Sequence, residues 1–111
     1  MSRPTDLVQG TLDLLILKTI ALEPMHGWAI AQRIRLLSQD VLKVQQGSLY
    51  PALHKLEHQA FIRSAWDTSD NNRRAKYYSL TRAGEKRLAR ELESWDRLST
   101  AITMVAKASE L

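Results

Sequence analysis

The stretch from Gln46 to Ala60 holds the side chains with the widest chemical choice in the chain. His54, Glu57 and His58 stand in the H-x-x-E-H spacing of one zinc peptidase class, and a helix would bring both imidazoles to one face. Zinc hydrolysis also needs a third ligand and a water-filled cleft. A chain of 111 residues leaves little surface for either once its core is built. No glycine-rich phosphate loop, nucleophile elbow or paired-acid constellation accompanies the string. The expectation is a chain with no catalytic centre, no metal and no cofactor. The same stretch suits a polyanion better. Leu49, Leu53, Leu56 and Ala60 recur at steps of four, three and four, one apolar face at helical period. Ser48, Pro51, Lys55 and His58 lie opposite, with His54 and Gln59 beside them. Hydroxyl, amide and basic groups on the wet side of a half-buried helix complement a DNA major groove. An ordinary amphipathic helix with a solvated face is the alternative. Ser48 is the expected N-cap, which puts Pro51 near the third helical position, where no N–H is missed.

The elements that must carry this helix follow from the flanking pattern. Thr5 or Asp6 caps a first helix running to about Leu22. Leu12, Leu14, Leu15, Ile16, Leu17, Ile20 and Leu22 cover most of its circumference, so it is expected both in the core and against a second copy, through Leu12 and Ile16. Pro24 ends it. A second helix is expected from His26 to Ser38, His26 being a locally bonded helix-start residue, and Val41 and Leu42 are expected to pin the link that follows. Beyond the Gln46 helix the period changes to that of strands, at Phe61–Asp67 and Ala75–Leu80. The turn between them ends in Arg73 and Arg74. Tyr78 shares a face with Leu80 and is the expected core tyrosine, with Tyr77 facing out. From Arg63 to Arg90 there are eight Lys or Arg against three acids, an excess larger than the whole net charge of +4. Clustered charge of this kind favours phosphate contact. Thr81 caps a last helix from Arg82 to about Lys107. Leu88, Leu92, Trp95, Leu98, Ile102 and Val105 form a seam along it, too long for so small a domain to cover, so a second copy is expected there. The chain has no cysteine, no signal-type segment and no bilayer-length apolar run, which points to a cytoplasmic protein with no membrane partner.

Three helices, a basic-tipped hairpin and a long terminal helix amount to a mainly α fold with a small β-hairpin wing, a winged helix-turn-helix with a dimerisation arm. The sequence resembles the PadR family of bacterial transcriptional regulators through Gly10-Thr11-Leu12, His26-Gly27-Trp28-Ala29-Ile30, Gly47-Ser48-Leu49-Tyr50-Pro51-Ala52-Leu53 with Leu56-Glu57, and Arg73-Arg74-Ala75-Lys76-Tyr77-Tyr78-Ser79-Leu80-Thr81 with Gly84. The single terminal helix looks like the smaller subfamily, which dimerises through that helix and the first. The resemblance implies a winged-helix DNA-binding domain over residues 1–81 and a dimerisation helix over 82–111. It also implies a homodimeric repressor of a pseudo-palindromic operator in double-stranded DNA. Gln46, Ser48, Tyr50, Pro51, His54 and Lys55 would serve the major groove, and Arg73, Arg74 and Lys76 the wing. A flat aromatic effector between subunits is implied for some members, with Trp95 its contact here; packing is the competing role for that tryptophan. The rival to the whole reading is a winged helix used for protein–protein assembly. The family pattern has glycine where this chain has Ala60, a residue that ends the recognition helix in a left-handed turn. With alanine there, Gln59 or a looser exit is expected to absorb the turn.

Overall fold

The computed structural model describes residues 4–109, with side chains from Thr11 onward. The expected loose arm before Pro4 and the capping side chains of Thr5 and Asp6 lie outside that description. The elements run α1 (Pro4–Leu22), β1 (Met25–His26), α2 (Gly27–Leu37), α3 (Gln46–His58), β2 (Ile62–Thr68), β3 (Arg74–Leu80) and α4 (Arg82–Ala106). β2 and β3 form the antiparallel hairpin, pairing Ile62 with Leu80 and Thr68 with Arg74. β1 adds a third strand on the far side of β3, Met25 opposite Tyr78 and His26 opposite Tyr77. The sequence reading lacked this strand, because two residues carry no period.

α1 is central. Leu12, Ile16, Leu17 and Ile20 are buried against Ile30 and Ile34 of α2, Leu49, Leu53 and Leu56 of α3, and Tyr78 of β3. Thr19 is the one buried polar residue among the described side chains, and its hydroxyl donates to the Leu15 carbonyl at 2.6 Å. This corrects one expectation. Leu12 and Ile16 keep only 2% and 0% of their surface, so they belong to this chain's own core and not to a face against a second copy. Leu88 at 8% is likewise drawn into the core by the packing of α4 on α1. In the α2–α3 link Leu42 packs on the core, but Val41 is 80% exposed, not pinned. Tyr78 is buried as expected, and Tyr77 sits half-buried, edge-on to the His26 ring.

The helix ends follow local chemistry. His26 caps α2, its Nδ1 accepting from the Ala29 N–H at 3.2 Å. Thr81 caps α4, its hydroxyl accepting from the Gly84 N–H at 3.0 Å and donating to the Ala60 carbonyl at 2.7 Å. Ser48 does not cap α3. That helix begins three residues earlier, with Gln45 at the cap position, because the Gln45 carbonyl already accepts from both Ser48 and Leu49. Pro51 therefore falls inside α3. Its ring opposes the carbonyl of Gly47, an exposed residue with open space around it, so that carbonyl is left to water. The end of α3 is a further correction: Ala60 itself takes the left-handed conformation, at φ 65°.

Candidate nucleic-acid interface

α3 is held by its apolar side and presents three flanks. At 100° per residue Gly47, Pro51, His54 and His58 point straight out, Gln46, Tyr50 and Glu57 turn toward the hairpin, and Ser48 and Lys55 turn toward α1. The hairpin side opens into a groove of about 600 Å³. Tyr50 and His54 line it from α3, Arg73, Arg74 and Lys76 from the hairpin, and Trp28 from the start of α2. Five of the nine residues singled out for DNA contact thus converge on one open surface. Gln46 lies one turn before Tyr50 on the same flank and is exposed.

The start of α3 is itself suited to an anion. No side chain caps its first turn. The exposed N–H groups of Gln46 and Gly47 sit at the positive end of the helix dipole.

Tyr50 is positioned by Gly27. A Cβ built on Gly27 would lie 2.7 Å from the tyrosine hydroxyl and 2.9 Å from its ring. Glycine is required here for close approach, since no glycine has positive φ among the described residues. In the sequence Gly27 stood in a motif with no role of its own; a glycine at the first position of a helix was the available signal.

The basic side chains differ in their company. Arg73 makes no ion pair among the described residues. Arg74 lies over the Trp66 ring at 5.2 Å, a cation–π contact within the hairpin. Lys55 is pulled to the α1 side by Asp13, with Nζ 2.7 Å from the carboxylate. Lys76 Nζ is 3.4 Å from Glu57 and 5.8 Å from the Tyr78 ring centre. Glu57 also accepts from the Ser64 hydroxyl at 2.5 Å, so one carboxylate of α3 engages both strands of the hairpin. The Ser64 hydrogen bond, ahead of the Lys76 and His54 charges, holds the Glu57 carboxyl below its ordinary range, against partial burial that acts the other way. Burial, then the charge of Glu57, pushes the Tyr78 phenol up. With its carboxylate engaged by Ser64 and Lys76, Glu57 is not placed to act with His54 and His58 on a metal.

On α4, Leu92, Trp95, Leu98, Ile102 and Val105 stay 37% to 78% exposed in a single chain. Residues 92–109 are exposed throughout except Ser99. No helix among the described residues is long and apolar enough to cross a membrane.

Residues 16–90 match the sequence profile of the transcriptional regulator PadR-like family. Among solved structures, a transcriptional regulator from Clostridium thermocellum superposes with a TM-score of 0.82 at 25% identity, over 92% of this chain and 99% of that one. A Streptococcus transcriptional regulator gives 0.77 at 30% identity, over 91% and 97%. A PadR family transcriptional regulator from Eggerthella lenta gives 0.76 at 27%, over 95% and 89%. The match spans both arms of the groove, from α1 through α3 and the hairpin into α4, and the chain belongs to the transcriptional regulator PadR-like family.

Proposed function

We propose that this chain is a cytoplasmic bacterial repressor that binds a pseudo-palindromic operator as a homodimer. The observation that carries the reading is the convergence of Tyr50 and His54 of α3 with Arg73 and Arg74 of the hairpin on one open groove. α3 enters the major groove. Its uncapped first turn, with Ser48 and Tyr50, meets phosphate oxygens, and Gln46 and His54 reach base edges. Pro51 lies on the outermost face and brings the backbone close to the bases. Arg73 and Arg74 hold the flanking phosphates. Lys55 and Lys76 stand beside acids and are not counted among the phosphate contacts. The exposed seam on α4 is covered by the same seam of a second copy, which sets two α3 helices on one face of the duplex. A flat aromatic effector held against Trp95 between the copies is the finest part of the proposal. It rests on the exposure of Trp95 beside a crevice of about 290 Å³ between α1 and α4.

Reversing charge at Arg73 and Arg74 tests the interface. Binding is expected to weaken on every sequence, and the slope of log affinity against log salt to flatten by about one unit for each phosphate no longer held. Unchanged affinity and slope would remove the hairpin from the interface and move the chain toward a protein-assembly role.

A further inference from the structure

A regulator that searches a genome must bind its operator well and all other DNA poorly. Sequence-independent affinity grows with the number of cationic groups that reach phosphates. This chain has a basic hairpin, yet a carboxylate stands inside it. Glu57 is not a surface acid on a free tether. Its Oε2 takes the Ser64 hydroxyl of β2 at 2.5 Å, its Oε1 faces Lys76 of β3 at 3.4 Å, and two thirds of its side-chain surface is covered. Bonded to both strands of the hairpin, the carboxylate stands beside Lys76 and not free in solvent. Lys76 lines the groove but brings no net charge to it, because Glu57 comes with it.

We propose that Glu57 limits the sequence-independent grip of this chain on DNA: its charge cancels Lys76 on the groove wall, so of the hairpin cations that line the groove only Arg73 and Arg74 are left to hold phosphate. The proposal rests on the DNA-binding reading above and adds a role to a residue that touches no base. Removing one sequence-independent contact lowers affinity for operator and random duplex by about the same factor, so what Glu57 sets is the strength and the salt dependence of the grip common to all DNA.

The test uses the full chain, an operator duplex obtained by selection and a scrambled duplex, across a salt series. Glu57→Gln keeps the side-chain shape and removes the charge. It is expected to tighten binding to the scrambled duplex and to steepen the salt slope by about one unit. That unit makes its affinity fall about three- to fourfold further than the wild type's between about 50 and 200 mM salt. The double variant Glu57→Gln/Lys76→Gln is expected to return to the wild-type slope, since the pair contributes no net charge. Ser64→Ala removes the hydrogen bond, keeps the charge and is expected to leave the slope alone. A double variant one unit shallower than wild type would show that Lys76 grips phosphate directly, and would overturn the proposal. A steepened slope in Ser64→Ala would overturn it in favour of a loosened hairpin. Wild-type protein that binds no duplex overturns the regulator reading and this proposal together, whereas operator binding with an unaltered Glu57→Gln slope overturns this proposal alone.

Discussion

Ala60 shows how one residue is settled by a distant one. Its N–H donates to the Glu57 carbonyl at 3.0 Å and the Phe61 N–H to the Leu56 carbonyl at 3.0 Å, the paired bonds of a Schellman exit. Leu56 is buried and Phe61 half-buried at the two ends of that exit, where the hydrophobic contact of the motif belongs. Thr81 fixes the far side by donating to the Ala60 carbonyl. An alanine in this conformation costs about 1–2 kcal/mol. Glycine would remove that strain and forfeit about 0.5–1 kcal/mol of backbone entropy. Ala60→Gly is therefore expected to stabilise the fold by about 1 kcal/mol, read as a higher urea midpoint at unchanged slope; a lower midpoint would contradict the strain. The sequence showed that something unusual happens at residue 60. It did not show which residue takes the turn, because the answer depends on a hydroxyl 21 residues away. Ser48 is the opposite case. Its capping chemistry was legible, but a helix that could begin at Gln46 gained three more residues, and local preference yielded.

α3 and the hairpin were the most legible elements, since the change from helical to alternating period marks both. What the period could not give is how the flanks of α3 divide. Lys55 and Tyr50 are equally polar-facing in a helical wheel, yet Asp13 of α1 holds one away while Gly27 of α2 seats the other in the groove. Those partners are 42 and 23 residues distant, beyond the reach of any local pattern. On the proposed reading α3 carries both base reading and backbone grip. Gln46→Ala and His54→Ala are expected to relax base preference at one or two operator positions, by about 1–3 kcal/mol for each base no longer read, with little change in salt slope. Binding-site selection on each variant measures it. A uniform weakening across all sequences, with a flattened slope, would make them phosphate-binding residues instead.

The whole molecule is elongated, 59 × 28 × 21 Å, because α4 runs well past the body that it caps. Among the described residues the half of α4 beyond the body has no element of its own chain to pack on, and an isolated stretch of about 15 residues is marginal in water, which supports the proposed second copy on its apolar seam. The seam was legible from its spacing. The share of α1 in it was not: a helix apolar on nearly every side gives no clue which residues its own domain will take, and here the core claims Leu12 and Ile16. In the proposed function a second copy covers the seam and makes the DNA site two-fold, and the reading turns on that symmetry. Selection of random duplex DNA by the purified protein reads it without further assumption. A two-fold protein is expected to enrich one pseudo-palindrome, its half-sites about one helical turn apart or a multiple of it. An enriched motif without symmetry, or no motif at all, would contradict the two-fold site.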